Sequence, residues 1–197
     1  MNQVKTIFIV LIMIAFIGSG ATWIIQQTNL SYDLPVIKPV PSFSYKTQDG
    51  TVFTEKALQD KVSVLDFMFT SCTGPCPTMT NNMKHLYDYY EEVPDVQFVS
   101  VTVDPEMDTE EILKLYADAN GVKDNRWQFL TSDIDSIKDL SRNGFMLYAG
   151  ELPRGHAIKF ILIDHLGRIR KYYDGTDKAS IRELRTDLNY LLKETKL

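Results

Sequence analysis

The chain has 197 residues, and its 26 acidic residues outnumber its 21 basic ones, which gives a net charge of −5 at pH 7. This acidic balance argues against nucleic acid, and against an anionic lipid surface, as the main partner of the folded part. The sequence after residue 30 is long enough for one domain with a single hydrophobic core.

The N-terminal segment differs in composition from the rest of the chain. Residues 6–25 carry no charge, and a helix of about 20 apolar residues can cross a bilayer. Lys5 precedes this run and the next charge is Asp33, so the positive-inside rule places the N-terminus in the cytoplasm. We predict that residues 1–26 form a single-pass helix in the cell membrane, with the C-terminal domain on the extracytoplasmic side.

A cleaved signal peptide is the alternative interpretation of this segment. Residues 7–17 would be its apolar region, and the small residues at 19–21 would be its cleavage site. Trp23 and the two isoleucines after it extend the apolar run beyond the usual length, which favours the anchor. No cysteine lies nearby, which excludes a lipid-modified cysteine, and both interpretations place the domain outside.

The remaining sequence predicts a linker followed by one folded domain. Residues 27–41 contain three prolines and no helical period, which is typical of a linker, and residues 42–197 follow as the domain. Hydrophobic patterning predicts the elements of this domain in chain order. They are a buried strand at 62–70, a helix at 76–90, a buried strand at 96–103, a helix at 109–120, a short strand at 127–130, a short helix at 134–142, strands at 156–164 and 168–173 joined by a hairpin, and a helix at 178–192.

This order of elements predicts an α/β domain with a central mixed sheet flanked by helices. The only two cysteines, Cys72 and Cys76, lie at the turn between the first buried strand and its helix, which narrows the fold to a thioredoxin-like one. In open α/β sheets the functional site lies beyond the carboxyl ends of the strands, and the cysteines occupy that position.

The spacing of Cys72 and Cys76 favours a chemical role over a structural one. A disulfide across so short a loop removes little entropy from the unfolded chain, although an ordinary disulfide, or two buried thiols, is the alternative. A helix N-terminus favours thiolate over thiol, and a thiolate is both a nucleophile and a soft metal ligand. The pair therefore fits thiol–disulfide catalysis and metal binding equally well.

Three sequence blocks resemble the Sco (SenC) family of copper-binding proteins, which assist cytochrome c oxidase assembly. They are FMFTSCTGPCPTMT, VTVDPEMDT and GHAIKFILID, and the likeness runs from about Pro41 to the C-terminal helix. The resemblance implies that Cys72, Cys76 and His156 ligate copper. Asp104 matches an acidic position of the second block without an implied ligand role. The implied activity is insertion of copper into the CuA centre of oxidase subunit II, reduction of the cysteines of that centre, or both.

The donor atoms independently suit copper. Two thiolates and one imidazole form a soft set that fits Cu(I), and Cu(II) accepts it with a weak further ligand, whereas zinc requires a fourth ligand. The other two histidines are expected to face solvent, because His85 lies in the middle of a helix and His165 at the tip of a hairpin. Met68, Met79 and Met83 could supply thioethers, but their spacing is typical of core residues.

Two further features bear on the site. Thioredoxins carry a cis-proline just before the strand that follows their site, and it receives substrate disulfides. Here Arg154, Gly155 and His156 occupy that region, so we predict a metal ligand in place of a cis-proline docking turn. Asp66, in the first buried strand, is either a proton acceptor near the cysteines or a hydrogen-bonded structural carboxylate.

Three functions remain open at this stage. The first is a copper-binding assembly factor, and the second is a dedicated thiol–disulfide reductase with Cys72 and Cys76 as its catalytic residues. The third is a copper or redox sensor. The acidic segment around Asp104 lies at the same edge of the sheet as the cysteines, and Asp108 with Thr109 is expected to cap the next helix.

Overall fold

The structure is a computed structural model that describes residues 7, 12–14, 16, 18–20 and 34–194. The chain divides into two compact units, Met1–Leu34 and Pro35–Leu197. The predicted membrane anchor at residues 1–26 falls largely outside the described residues and stays a prediction. Among the described residues, no helix combines the length and the apolar character that a membrane span requires.

The second unit is built on a single mixed β-sheet. Its strands, within residues 34–194, are β1 (Lys38–Pro39), β2 (Ser44–Thr47), β3 (Val52–Thr54), β4 (Val62–Met68), β5 (Val96–Thr102), β6 (Trp127–Thr131), β7 (Lys159–Ile163) and β8 (Arg168–Asp174). They lie in the order β1-β8-β7-β4-β5-β6-β2-β3. The pairs β4–β5 and β5–β6 are parallel, whereas β7 is antiparallel to both β4 and β8. The predicted α/β fold with a mixed sheet is confirmed.

Helices connect the parallel strands and close the chain. They are α1 (Cys76–Tyr89), α2 (Glu110–Ala119), α3 (Ile134–Asp139) and α4 (Lys178–Glu194), and a turn of π-helix, Leu140–Gly144, continues α3. Thr109 caps α2 by accepting a hydrogen bond from the Ile112 amide at 3.3 Å, as predicted. The helices α1 and α2 are the crossovers from β4 to β5 and from β5 to β6, as βαβ units require.

The core surrounds the two central strands. Every residue of β4 and β5 is buried, which agrees with the nearly continuous apolar runs in the sequence. Met68, Met79 and Met83 are all at most 1% exposed, so their predicted place in the core is confirmed. The two central strands of the sheet are therefore buried on both faces.

Three local features differ from the predictions. The hairpin of β2 and β3 is an additional element, and its turn uses Gly50 at φ 75°, a conformation that glycine adopts without a steric penalty. Within the predicted linker, β1 pairs with β8. The strand predicted at 156–164 begins only at Lys159, and His156 lies before it, in an isolated bridge with Ala149. Short edge strands carry too few residues to show a clear period.

Candidate metal centre

The two cysteines lie in the connection between β4 and α1. Cys76 is the first residue of α1, with Pro77 in the first turn, where its missing amide hydrogen is not needed. Cys72 lies in the preceding loop, and its Sγ accepts a hydrogen bond from the Gly74 amide at 3.4 Å. Both are free thiols, but Cys76 is only 1% exposed whereas Cys72 is half-buried. The pair therefore presents one accessible and one enclosed sulfur.

His156 comes from a distant part of the chain to meet the enclosed sulfur. Its Nε2 lies 3.4 Å from the Sγ of Cys76, although 80 positions separate the two residues. The other ring nitrogen, Nδ1, lies 3.2 Å from the carbonyl oxygen of Ala157. The edge-on ring of Phe69, with centroids 5.7 Å apart, packs against the imidazole, which is only 8% exposed. With Nδ1–H donating to the carbonyl, Nε2 turns its lone pair towards the sulfur.

This spacing fits two ligands of one metal ion. Sulfur and nitrogen ligands of a tetrahedral zinc ion, bound at about 2.3 and 2.0 Å, stand roughly 3.5 Å apart. The 3.4 Å between Cys76 and His156 is of that size. Within the described part of the chain, however, no group of three or more His, Cys, Asp or Glu side chains is already gathered closely enough to hold a metal ion. The structure thus brings Cys76 and His156 together, and Cys72 lies in the adjoining loop.

The two thiols differ in acidity. Burial, together with the interaction with Cys72 and the charge of Asp66, raises the pKa of Cys76 to about 12. Burial also acts to raise the pKa of Cys72, but hydrogen bonds with Cys76 and with the Gly74 amide outweigh it and lower the pKa. The helix N-terminus is expected to favour thiolate over thiol, but at Cys76 desolvation of the buried sulfur outweighs this effect and the pKa is raised.

The imidazole of His156 is kept neutral by its surroundings. Burial lowers its pKa below the ordinary value of 6.5, and hydrogen bonds with the backbone of Ala157 and Phe67 only partly oppose this effect. A neutral imidazole is the form that binds a metal. The site therefore offers an uncharged nitrogen donor at neutral pH.

Asp66 lies in the centre of β4 and is 1% exposed. Burial raises its pKa to about 7, and a hydrogen bond with Ser100 opposes this only in part. Within the described residues its Oδ1 has no hydrogen-bond partner, whereas the carboxyl group does hydrogen-bond to Ser100, so the interpretation as a hydrogen-bonded structural carboxylate stays open. Its charge acts on Cys76, which is consistent with the alternative of a proton acceptor near the cysteines.

Asp108 holds the start of the cysteine loop, a role that the sequence pattern did not reveal. Its carboxylate is completely buried and accepts hydrogen bonds from the Thr70 amide at 3.0 Å, from the Thr70 hydroxyl, and from the Thr102 hydroxyl at 2.5 Å. Thr70 follows β4 and Thr102 ends β5. The carboxylate therefore connects the ends of β4 and β5 beside the cysteine loop. The cap of α2 expected of Asp108 and Thr109 is made by the Thr109 side chain.

An open cleft of roughly 800 Å³ leads to the site. Its walls combine the cysteine loop with the segment that precedes His156, and Asp104 and Arg154 contribute charges of opposite sign. Burial and the neighbouring Asp108 raise the pKa of Asp104. The prediction that a cis-proline is missing from this region is wrong: the Leu152–Pro153 peptide bond is cis, and both residues line the cleft.

The remaining histidines do not join the site. His85 is exposed on α1 and lies 3.3 Å from the amide of Asn81, as expected of a solvent-facing residue. His165, at the turn between β7 and β8, is half-buried instead of solvent-facing, and its Nδ1 has no partner within the described residues. Its position at the opposite end of β7 keeps it from the cysteines.

Comparison with known proteins gives a consistent result. The model of the family described as SCO1/SenC matches residues 37–193. A SCO1 protein homologue of Bacillus subtilis is 30% identical over 161 residues, covering 78% of this chain and 83% of the relative. The crystal structure of a SCO1/SenC family lipoprotein from Bacillus anthracis is 35% identical, with a TM-score of 0.72 over 79% of this chain and 95% of the other.

A further similar structure is that of a protein described in connection with cytochrome c oxidase assembly. It is BsSco, described as a member of the Sco family of cytochrome c oxidase assembly proteins and as carrying a disulfide switch. It is 26% identical to this chain, with a TM-score of 0.72, and the match covers 84% of this chain and 98% of BsSco. Together with the family match over residues 37–193, these likenesses show that the chain belongs to the SCO1/SenC family.

Proposed function

We propose that this protein is a copper-binding factor for cytochrome c oxidase assembly, with Cys72, Cys76 and His156 as the ligands of its copper cargo. One observation carries the proposal: the imidazole Nε2 of His156 lies 3.4 Å from the sulfur of Cys76, across 80 positions of sequence. Membership of a family that includes an oxidase assembly protein supplies the biological setting.

The chemistry of the donors favours copper over other metals. Two thiolate sulfurs and a neutral imidazole form a soft set that suits Cu(I), and Cu(II) accepts the same set with a weak further ligand. Nδ1 of His156 is directed to the Ala157 carbonyl, which fixes the ring orientation, as outer hydrogen bonds do for metal-binding histidines. Cys72 completes the set by a small movement of the exposed loop around Gly74.

The arrangement also suits release of the cargo. Cys72 and His156 both line the open cleft, but Cys72 is the more exposed, so incoming ligands of a recipient can replace it first while Cys76 stays buried. We propose the CuA centre of oxidase subunit II as the recipient. Residues 1–26 would hold the domain at the extracytoplasmic face of the membrane, where that exchange takes place.

Copper titration of the reduced full-length protein in detergent tests the ligand set. We expect one Cu(I) per chain in competition with a chromophoric chelator. Loss of an outer hydrogen bond to a metal ligand already costs about 10- to 100-fold in affinity, so His156→Ala should lose more than about 100-fold. His85→Ala, which removes an exposed histidine on α1, is the matched control and should bind like the parent. Equal affinity of His156→Ala and the parent would refute the three-ligand site.

A second candidate, a dedicated thiol–disulfide reductase, is favoured by the difference between the two thiols. The lowered pKa and partial exposure of Cys72 suit a nucleophile, and the buried Cys76 suits a resolving thiol. In this reaction the Cys72 thiolate attacks a partner disulfide and releases one partner thiolate. Cys76 then attacks the mixed disulfide, loses its proton and releases the second partner thiolate. The partner gains two electrons, and the chain ends with a Cys72–Cys76 disulfide.

One variant separates the two functions in cells. His156→Ala removes a copper ligand but leaves both thiols in place, whereas Cys72→Ser abolishes copper binding and thiol exchange together. If the protein delivers copper, oxidase activity in cells that carry only His156→Ala should fall to the level of Cys72→Ser. Full oxidase activity with His156→Ala would favour the reductase.

A further inference from the structure

We infer that Arg142 is a positioning residue for the copper site: its guanidinium holds the segment that pairs with His156, and so keeps the imidazole in reach of Cys76. The inference rests on the proposed function, because it concerns the same site. The observation behind it is a pair of hydrogen bonds from one arginine side chain to the carbonyl oxygen of Ala149.

The backbone of His156 receives little support from the sheet itself. The residue lies three positions before β7, and its backbone pairing is the isolated bridge with Ala149. Between these two residues the chain closes on itself, since the Gly150 amide donates to Gly155 at 2.8 Å and the Gly155 amide donates to Glu151 at 2.8 Å. The imidazole has its own contacts with Ala157 and Phe69, but the backbone of His156 is positioned through its bridge to Ala149.

Three alternate residues, Phe145, Leu147 and Ala149, hold the segment 145–149 against the rest of the domain. Phe145 is fully buried and packs edge-on against Phe67, with ring centroids 5.8 Å apart. The Leu147 amide donates to the Ser141 carbonyl at 2.9 Å. Ala149 is 2% exposed, and its carbonyl oxygen is the acceptor for Arg142. The arginine thus provides the last anchor before the loop that leads to His156.

Two nitrogens of the Arg142 guanidinium donate to the same carbonyl oxygen. Its Nε donates to the Ala149 carbonyl at 2.6 Å, its Nη2 donates to the same oxygen, and Nη2 also lies 3.4 Å from the Gly150 carbonyl. Within residues 34–194, no other side chain donates a hydrogen bond to the backbone of residues 146–155. A planar guanidinium can bridge neighbouring acceptors in this way, whereas a lysine ammonium reaches them as a single point charge.

The backbone around Arg142 forms a turn of π-helix. The π-helix Leu140–Gly144 follows directly on α3, and Arg142 lies in its middle. Such turns interrupt the regular helical spacing and are frequent at functional sites. Leu140, Ser141 and Gly144 of this turn are buried, whereas Arg142 is exposed and donates to the Ala149 carbonyl.

The test compares Arg142→Ala and Arg142→Lys with the parent in the full-length protein. In the copper-free form, hydrogen exchange of the Gly150 and Gly155 amides should become faster in Arg142→Ala. The Cu(I) affinity should fall about 10- to 100-fold, as on loss of an outer-shell partner, and Arg142→Lys should recover part of it. Arg182→Ala, which removes an exposed arginine of α4, is the matched control and should behave like the parent.

A double variant distinguishes positioning from general stability. If Arg142 acts through His156, then Arg142→Ala should cost no further affinity in a protein that already carries His156→Ala. An equal loss in both backgrounds, or parental exchange and affinity in Arg142→Ala, would overturn the inference. Should His156→Ala itself keep full affinity, the proposed function fails; a loss in His156→Ala without one in Arg142→Ala defeats only this inference.

Discussion

Replacing Asp66 by asparagine should stabilise the protein, and the gain should depend on pH. Asp66 is 1% exposed in the middle of β4, and its Oδ1 has no hydrogen-bond partner within the described residues. Ser100 hydrogen-bonds to the carboxyl group, and the indole N–H of Trp127 donates to the Ser100 hydroxyl oxygen at 3.0 Å. One hydroxyl group does not compensate a carboxylate for the loss of its hydration.

The size of the effect follows from the pKa of the carboxyl group. Burial raises this pKa from 3.8 to about 7 in the folded protein. Because each pH unit is about 1.36 kcal/mol, the charged form costs up to about 4 kcal/mol of folding free energy. A raised pKa means that the folded state holds the proton more tightly, so the contribution of Asp66 to stability is greatest below pH 3.8 and is lost as the pH rises towards and through 7. The carbonyl and amide of asparagine resemble the protonated carboxyl, which does not carry this cost.

Urea unfolding of the reduced protein at pH 5 and pH 8 measures the effect. We expect Asp66→Asn to exceed the parent by about 2 to 4 kcal/mol at pH 8 and by much less at pH 5. Asp95→Asn, an exposed carboxyl before β5, is the control and should follow the parent at both pH values. If the difference between Asp66→Asn and the parent were the same at both pH values, the carboxylate of Asp66 would not be the penalised group.

Three further predictions concern the loop, the core and the thiols. Asp108→Ala leaves the Thr70 amide and the Thr102 hydroxyl without their acceptor and should lower the free energy of unfolding by about 3 kcal/mol, as measured with urea. A loss below about 1 kcal/mol would contradict the role of Asp108 in this hydrogen-bond network. Met79 is 0% exposed, so Met79→Ala should lower the free energy of unfolding by about 2 to 5 kcal/mol. Met107 is 64% exposed, and Met107→Ala should lower it by less than about 0.5 kcal/mol. Equal losses would refute the core assignment. In the reduced protein at pH 7, iodoacetamide should modify Cys72 well before Cys76, as measured by peptide mapping with mass spectrometry. Only Cys72 combines a lowered pKa with partial exposure. The reverse order would show that the acidities are assigned to the wrong thiols.

Sequence patterns predicted the central architecture because it depends on local chemistry. The short apolar, β-branched runs of β4 and β5 are typical of buried strands. Pro77 and the helical spacing of Met79 and Met83 indicate α1. The strand–turn–helix order then places both cysteines at one edge of the sheet. The hairpin of β2 and β3 was missed, although the alternation in β2 and the Asp49-Gly50 turn are signals that could have identified it.

The acidity of the thiols depends on features that no local pattern contains. Cys76 begins a helix, which favours the thiolate, but it is buried far enough that its pKa rises to about 12. Cys72 has the lowered pKa because of the hydrogen bonds it receives within the folded loop. The depth of each sulfur is set by packing against residues from elsewhere in the chain, and spacing within the motif does not encode it.

By itself, the sequence determined which residue types could form the site, because two thiols at a strand–helix turn and a late histidine are visible as a pattern. Only the tertiary structure decided that Nε2 of His156 faces Cys76 at 3.4 Å, that Asp108 ties the cysteine loop to β5, and that Arg142 holds Ala149. Each of these contacts joins segments that are brought together by sheet pairing and side-chain packing. Their geometry therefore becomes fixed only when the whole domain has folded.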